Sequence, residues 1–251
     1  EIYTLSLHDA LPILVIACIP TKVLVSAAEH HQSFDEAMAH KTTVVTRLNE
    51  KNYHMLADRE TVSVIEGEAS FVDDRTVKVM AGDDELIVSA PQIFINTGAG
   101  SIIPDIPGVD KPFVYTSTEL LDKMTQPKQL AIIGGGYIGL EFASTYAKLG
   151  TKVTVFERGD ALLAREDPAI ARATTEALQA QGIEIVFSVD VTAIEGESTA
   201  TICTVNHDDY AGYDAVLMAT GRRPATMSLN LPAAGELPRS EERRVGKECR
   251  S

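Results

Sequence analysis

A glycine-rich segment near the middle of the chain has the spacing of a nucleotide-binding loop. Gly134, Gly135, Gly136 and Gly139 follow the apolar run LAII and precede helix-forming residues that continue to Leu149. In G-x-G-x-x-G, the first glycine allows a tight turn, the second lets a pyrophosphate approach the backbone, and the third lets the helix pack closely on the strand. The order of strand, loop and helix predicts a dinucleotide site; a glycine-rich turn without a ligand is the alternative.

An acidic residue stands where such a site binds ribose. Glu157 directly follows the run KVTVF, 18 residues after Gly139. Its carboxylate can accept hydrogen bonds from both ribose hydroxyls of NAD, whereas a 2′-phosphate would meet like charge. NAD(H) is therefore favoured, and NADPH less so, because the adjacent Arg158 offers a partner for a 2′-phosphate. A solvated acid at a strand end is the alternative.

The run CIPTK at residues 18–22 places a thiol and an amine one helical turn apart. Cys18 begins a predicted helix, and Lys22 follows four residues later. A helix N-terminus and a nearby cation both favour the thiolate form of cysteine. The pattern predicts a reactive thiol, with a buried, unreactive cysteine as the alternative. Cys203 lies in a β-rich run and is assigned no role.

The elements around these residues are predicted from periodicity and capping residues. Helices are expected over residues 16–31 and, after a capping box formed by Ser33 and Glu36, through about Ala57. Residues 62–96 contain the short β-rich runs VSVI, ASFV, TVKVM, LIVS and IFIN, which predict an antiparallel meander.

Strands and helices alternate in the second half of the chain. LAII, the glycine loop with its helix, and KVTVF form a βαβ unit. Asp167 and Pro168 begin another helix, Gly182 ends it, and IEIVF is the predicted third parallel strand. TICTV and AVLMAT are further strands. This order predicts a doubly wound α/β domain over residues 127–225.

Composition limits the class of protein. The 251 residues are 45% hydrophobic, with 22 Lys and Arg against 36 Asp and Glu and a net charge of −14. No basic run interleaved with aromatics is present, so nucleic-acid binding is not expected. No apolar run reaches membrane-spanning length. Three scattered cysteines favour a reducing compartment, and we predict a cytoplasmic location. We expect no metal at His30 and His31.

The two ends differ in origin from the rest. Residues 1–13 and 239–251 are translations of opposite strands of one DNA segment that resembles a sequencing adapter. We interpret both as artefacts, exclude them from fold reasoning, and expect the natural protein to continue beyond both.

Five motifs together resemble a known family. CIPTK, GEASF, INTGA, GGGYIGLEFA and ATGRRP, in this order and spacing, are similar to the class I pyridine nucleotide-disulfide oxidoreductases. The resemblance implies a homodimeric flavoprotein that passes a hydride from NAD(P)H through FAD to a cysteine pair and on to a small-molecule acceptor. KNYHMLAD, IFINTGA, VYTSTELL, REDPAIA and GRRPATMSL most resemble the bacterial reactive-chlorine-resistance branch. That branch is similar to mercuric reductases and is associated with reduction of hypothiocyanous acid or copper(II).

The resemblance also implies an α/β fold with two Rossmann-like dinucleotide-binding domains, truncated at both ends. Its expected parts are a partial FAD domain with the meander (residues 14–112), a crossover (113–126), the NAD(P) domain (127–225) and a return toward the FAD domain (226–238).

Roles for individual residues follow from the same resemblance. Cys18 matches the flavin-proximal cysteine and Lys22 the lysine at flavin N5. Glu141 matches the ion-pair partner of that lysine, and Tyr137 the aromatic gate over the flavin, with helix packing as the alternative for Tyr137. The remaining matches are cofactor contacts: Ala69 at the FAD adenine, Thr97, Gly98 and Ala99 at the strand-end FAD turn, and Gly221 near nicotinamide.

The chain also departs from the family pattern. Ile13 stands where the C-x4-C dithiol has its other cysteine, and the sequence lacks the N-terminal FAD glycine loop, the later FAD element and the dimerisation domain with its His-Glu pair. We therefore expect the fragment itself to be inactive. Dihydrolipoamide dehydrogenase, an NADH oxidase or ferredoxin-type reductase without a dithiol, and a non-catalytic dinucleotide-binding redox sensor stay open as alternatives.

Overall fold

The computed structural model of the protein describes residues 2–5, 18–206 and 208–235. These residues form two compact units. The unit that we call the nucleotide-loop unit comprises residues 18–46 and 101–221. The meander unit comprises residues 2–5, 47–100 and 222–235.

The nucleotide-loop unit is built on a five-stranded parallel sheet with the order β10-β9-β8-β14-β7. Its strands are β7 (Val114–Tyr115), β8 (Gln129–Ile133), β9 (Lys152–Phe156), β10 (Glu184–Val186) and β14 (Ala215–Met218). All four residues of β14 are buried, as are the last four of β8 and of β9. Continuous apolar strands of this kind are typical of a parallel sheet that is covered on both faces.

Helices contribute to the core on one side of this sheet. They are α1 (Cys18–Glu29), α3 (Ser117–Asp122), α4 (Tyr137–Lys148) and α5 (Pro168–Ala180). The cluster of buried side chains there includes Leu24 of α1, Leu140 and Phe142 of α4, and Ile132 and Leu217 of the sheet. Packing between α1 and α4 therefore places the start of α1 close to the helix that follows the glycine loop.

A second, antiparallel sheet belongs to the same unit. Its strands β11 (Val191–Glu195), β12 (Ala200–Thr204) and β13 (Asp209–Tyr213) lie in chain order. Ile194 and Ile202 of this sheet share a buried cluster with Ile133, Phe156 and Met218 of the parallel sheet.

The meander unit contains the antiparallel sheet β2 (Glu68–Phe71), β3 (Thr76–Ala81) and β4 (Asp84–Ser89). Two further strand pairs are present: β1 (Ile2–Leu5) with β5 (Gln92–Ile95), and β6 (Ala99–Ser101) with β15 (Arg222–Pro224). Short 3₁₀ helices at Met227–Leu229 and Leu231–Ala234 place Leu229 and Leu231 against Phe71, Val77 and Val79. Helix α2 (Phe34–Ala57) has residues in both units.

The predicted helices are confirmed. The capping box that begins α2 forms as expected, since the Ser33 backbone N–H and hydroxyl donate to Glu36 Oε2 at 3.0 and 2.7 Å, and the Glu36 N–H donates to Ser33 Oγ at 3.3 Å. The glycine loop lies between a buried strand and a helix N-terminus. No helix in the described ranges is long and apolar enough to span a membrane.

The meander prediction was wrong in part. Residues 62–65 form no strand: Val62 is half-buried, but Val64 and Ile65 are exposed and so place no apolar face against a core. The run IFIN belongs to β5, which pairs in parallel with β1 instead of extending the antiparallel sheet. Only the three central runs form a meander.

The compact units also differ from the domain boundaries predicted from sequence. Residues 18–46 group with the glycine-loop sheet because α1 packs on α4. Residues 113–126, expected to be a crossover, supply β7 and α3 to the same unit. Local patterns could not reveal these long-range contacts, and the assignment of FAD or NAD(P) to each region stays a prediction.

Candidate functional site

Two glycines of the loop are required by the fold itself. Gly134 follows β8 with φ of +112°, in the left-handed region, and a Cβ there would lie 2.5 Å from the carbonyl oxygen of Ala219. A Cβ on Gly139 would lie 2.2 Å from the carbonyl oxygen of Gly134. Both distances are too short for any side chain, so the turn and the approach of α4 to the sheet depend on these glycines.

Gly136 differs, because nothing in the protein requires it. It precedes α4 as its N-cap, with φ of −85° and ψ of 179°, which any residue adopts. A Cβ on Gly136 would have no neighbour within 4 Å. The first turn of α4 is therefore open at this point, and a helix N-terminus with an uncovered backbone can bind a phosphate group.

The carboxylate of Glu157 lies against the glycine loop. Its Oε2 accepts a hydrogen bond from the Gly135 N–H at 2.7 Å, and its Oε1 accepts one from the Gly159 N–H at 2.6 Å. The Glu157 backbone N–H donates to the Val186 carbonyl of β10 at 2.8 Å. A carboxylate has about four acceptor positions, so each oxygen retains capacity for a further donor such as a ribose hydroxyl.

The side chain of Arg158, the residue after Glu157, is directed toward Asp190. Its Nε lies 3.4 Å from Asp190 Oδ2, and its side chain is 82% exposed. The cation nearest in sequence to Glu157 is therefore already paired with a carboxylate.

Cys18 and Lys22 lie on one face of α1. Both are exposed, whereas Pro20, Thr21 and Leu24 of the same helix are buried. Residues four apart on a helix are neighbours on its surface. The free thiol and the ammonium group therefore share one solvent-facing surface.

The structure brings together Lys22 and Glu141, which are 119 residues apart. Lys22 Nζ donates to Glu141 Oε1 at 2.5 Å, with the side chains 60% and 32% exposed. Two turns further along both helices, Glu29 Oε1 lies 3.9 Å from Lys148 Nζ. The separation in sequence is the same for both pairs, so α1 and α4 run in the same direction with a matched register. The predicted ion pair is confirmed.

Tyr137, the first residue of α4, is 67% exposed. Its hydroxyl donates a hydrogen bond to Glu166 Oε1. This bond, and to a smaller extent desolvation and the nearby negative charge, raise the pKa of the Tyr137 phenol. The phenol is therefore held neutral, as a donor, at the start of the helix.

The remaining residues that were predicted to contact a cofactor lie on other elements than α1 and α4. In the meander unit, Ala69 is half-buried on β2, and the buried Thr97 follows β5. The Gly98 carbonyl, in a residue with φ of +68°, accepts from the Ala225 N–H at 2.9 Å, and the Ala99 carbonyl accepts from the Arg222 guanidinium. In the nucleotide-loop unit, Gly221 has φ of +125° and its carbonyl accepts from the Ile102 N–H at 2.9 Å.

Three further sequence-based expectations concern Cys203, the histidines and Ile13. Cys203 is half-buried on β12, and burial, with nearby acids, raises the pKa of its thiol. In the part of the chain that the structure describes, no three His, Cys, Asp or Glu side chains cluster as metal ligands would. Ile13 lies outside the described residues.

The amino-acid sequence matches the model of a protein family. Residues 6–248 match the pyridine nucleotide-disulphide oxidoreductase model. The chain belongs to this family. Its fold is the α/β fold of those enzymes, and the family is one of flavoprotein oxidoreductases.

Two individual proteins of this family are similar to the chain in sequence. It is 42% identical over 221 residues to the probable pyridine nucleotide-disulfide oxidoreductase RclA of Escherichia coli K12, covering 88% of this chain and 50% of the relative. It is 36% identical to a mercuric reductase of Lysinibacillus sphaericus, covering 88% and 43%. The chain thus spans about half the length of these relatives.

A solved structure is also similar. The Cu(II) complex of the HOCl-induced flavoprotein disulfide reductase RclA from Escherichia coli superposes with a TM-score of 0.89 at 40% identity. The match covers 93% of this chain and 54% of that one. The resemblance to the family inferred from sequence is confirmed.

Sequence reasoning missed Glu166 as a partner of Tyr137. The residue directly precedes Asp167, the N-cap of α5, whose Oδ1 accepts from the Ala169 N–H at 2.7 Å. An acid beside a helix cap looks like part of the cap, and only the fold shows that Glu166 is directed to α4.

Proposed function

We propose that the protein is an FAD-dependent NAD(P)H oxidoreductase that passes reducing equivalents to the disulfide form of a cysteine pair, of which Cys18 is the flavin-proximal member. The observation that carries this proposal is the 2.5 Å contact between Lys22 and Glu141, with Cys18 on the same exposed face of α1. A surface ion pair contributes little to stability. A paired lysine beside a free thiol instead suits a site where a charge and a nucleophile must be held together.

The nucleotide side of the proposal depends on the glycine loop. Gly136 leaves open the space that a Cβ would fill, and the N-terminus of α4 supplies backbone N–H donors for a pyrophosphate. Glu157 is fixed by two backbone N–H groups, so its carboxylate is already oriented before a ribose arrives. The residues present therefore fit a dinucleotide.

We further propose NADH as the preferred reductant, with NADPH less favoured. The anionic Glu157 would lie beside a 2′-phosphate, and the adjacent Arg158 is paired with Asp190. A 2′-phosphate at this position would have to share the Arg158 guanidinium with Asp190.

The flavin side depends on the chemistry of α1 and α4. A bound flavin would accept a hydride from the nicotinamide and pass two electrons to the disulfide form of a cysteine pair. Lys22 would hold its ammonium group at the flavin N5, with Glu141 fixing its direction. Cys18 would present its sulfur on the same face, and Tyr137 would cover the nicotinamide side. Ala69, Thr97, Gly98, Ala99 and Gly221 are the proposed backbone contacts to the cofactors.

The acceptor is proposed only as a class. Relatives include proteins named as a mercuric reductase and as an HOCl-induced disulfide reductase in complex with Cu(II). A disulfide, an oxidised thiol or a metal ion is therefore the proposed acceptor, and the proposed assembly is a homodimer in a reducing compartment. No feature of the described residues favours the NADH oxidase or sensor alternatives.

The test compares the 251-residue chain with the natural protein in which we expect it to be embedded, each supplied with FAD and NADH under anaerobic conditions. In the natural protein we expect NADH to bleach the flavin absorbance and then to release thiol from an aromatic disulfide. The 251-residue chain should bind NADH without disulfide turnover, and the variants below are made in the natural protein. The Cys18→Ser variant should retain bleaching but lose thiol release, whereas Cys203→Ser should match the parent protein. NADH binding without bleaching would favour the sensor, and bleaching with equal thiol release from Cys18→Ser would exclude Cys18 from the proposed role.

A further inference from the structure

The segment between β9 and α5 folds onto the glycine loop. The Leu163 N–H donates to the Gly135 carbonyl at 3.3 Å. Leu162 is fully buried, and its Cδ2 lies 2.6 Å from the position that a Cβ on Gly135 would take. These contacts fix the segment against the loop without involving Tyr137.

A turn within this segment directs Glu166 toward α4. Leu163 has φ of +49°, which is uncommon for a residue with a side chain. Its carbonyl accepts from the Glu166 N–H at 2.8 Å, and the capped start of α5 follows immediately. Glu166 is therefore held at its backbone from both sides, while its exposed carboxylate meets the Tyr137 hydroxyl.

We propose that Glu166 is a positioning residue that holds the Tyr137 ring in a resting position, and that a nicotinamide dinucleotide binds only after this hydrogen bond is broken. The inference rests on the proposed function. Tyr137 directly follows Gly136, so its ring begins one residue from the open space assigned to the pyrophosphate. Because the segment is fixed separately by Leu162 and Leu163, the ring can leave Glu166 while the loop keeps its shape.

The strength of this contact suits a reversible latch. Both side chains are exposed, and polar pairs at exposed sites contribute little. Removing the carboxylate should therefore change nucleotide affinity by only about two- to fivefold. The direction is informative: the resting contact competes with binding, so its loss should tighten binding.

The first measurement needs no nucleotide. The chain contains seven tyrosines and no tryptophan, so phenol ionisation can be followed by ultraviolet absorbance. The difference between the parent and Tyr137→Phe isolates the titration of Tyr137. In the Glu166→Gln background the same difference should shift to lower pH, because the negative acceptor is gone. An unshifted curve would overturn the latch, whatever the nucleotide does.

The second measurement is NADH affinity in a double-mutant cycle. Glu166→Gln and Tyr137→Phe should each tighten NADH binding by a similar factor, and the double variant should bind no more tightly than either. Glu176→Gln, an exposed acid on α5, is the matched control and should bind like the parent.

The outcomes separate the two proposals. Weaker binding by Glu166→Gln, or additive effects of the two substitutions, would overturn the latch while leaving the proposed function standing. Absence of NADH binding by the parent and every variant would overturn the proposed function, and with it the release step.

Discussion

At the scale of single residues, three glycines in one loop have two different tasks. Gly134 and Gly139 are needed because backbone oxygens lie within 2.5 Å of where a Cβ would be. Gly136 lies in open space with an ordinary backbone conformation. The protein alone explains the first two, whereas the pyrophosphate that we propose to bind at this loop would explain the third.

Substitutions at these glycines should separate folding from binding. Gly139→Ala should lower the free energy of unfolding by about 1–3 kcal/mol, because the added methyl meets the Gly134 carbonyl. Gly136→Ala should leave it within about 0.5 kcal/mol and weaken NADH binding by about tenfold or more, since the methyl fills the space of the pyrophosphate. Urea unfolding and NADH fluorescence titration provide the two numbers. Unchanged affinity in Gly136→Ala would place the pyrophosphate elsewhere.

Substitutions at Lys22 and Glu141 should separate an effect on stability from an effect on flavin reduction. Because the side chains are 60% and 32% exposed, Lys22→Met and Glu141→Gln should each change stability by less than about 1 kcal/mol. When the same substitutions are made in the natural protein that contains this chain, flavin reduction by NADH should nevertheless slow by about tenfold or more if the ammonium group acts at the flavin. Lys148→Met, which removes the corresponding pair with Glu29, is the control and should reduce flavin at the parent rate. Equal rates in all three variants would make the pair structural.

At the scale of elements, a buried lysine joins two helices of the nucleotide-loop unit. Lys41 of α2 is 6% exposed, and its Nζ donates to the Leu121 carbonyl near the end of α3 at 2.6 Å. Asp122 Oδ1 lies 3.6 Å from the same nitrogen, on a side chain that is 78% exposed. The last turn of a helix has unpaired carbonyls, and a cation placed there satisfies one of them.

Removing this contact should destabilise the unit. Lys41→Met keeps the length of the side chain but leaves the Leu121 carbonyl unpaired, so we expect a loss of about 1–3 kcal/mol in unfolding free energy. Asp122→Asn, which alters only the exposed partner, should cost less than about 0.5 kcal/mol. Urea unfolding monitored by circular dichroism measures both. A larger loss in Asp122→Asn would show that the ion pair, rather than the hydrogen bond to the carbonyl, stabilises α3.

Elements with strong local signals could be predicted from sequence. The capping box at Ser33, the Asp167-Pro168 start of α5 and the glycine loop each specify a boundary within a few residues. The strand pairing of IFIN was not predicted, because its partner β1 lies within residues 1–13, which the sequence analysis excluded from fold reasoning. The contact of Glu166 with Tyr137 was missed because Glu166 adjoins the N-cap of α5 and its partner is 29 residues away. The ion pair of Lys22 and Glu141 was anticipated only through the family resemblance.

At the scale of the molecule, the two units bury their apolar side chains unequally. The nucleotide-loop unit has two large buried clusters, one on each side of its parallel sheet. The meander unit has one small cluster and carries exposed apolar side chains at Leu86, Ile87, Phe94 and Ile95. Burial of apolar surface is the dominant favourable term in folding, so the nucleotide-loop unit should be the more stable of the two.

NADH binding should increase the difference in stability between the nucleotide-loop unit and the meander unit. Every residue that we assign to NADH binding at the loop, from Gly134 to Glu157, belongs to the nucleotide-loop unit. A ligand that binds only the folded form stabilises it by about 2.7 kcal/mol at a hundredfold excess over its dissociation constant. Amide hydrogen exchange followed by mass spectrometry should therefore slow in β8, β9 and β14 when NADH is added, while β2, β3 and β4 exchange at the same rate as before. The Gly136→Ala variant, which should bind NADH about tenfold or more weakly, is the control and should show less protection of β8, β9 and β14 at the same NADH concentration. Equal protection of both sheets in the parent protein would mean that the two units unfold as one cooperative body, whereas protection confined to the meander sheet would place the NADH site in the other unit.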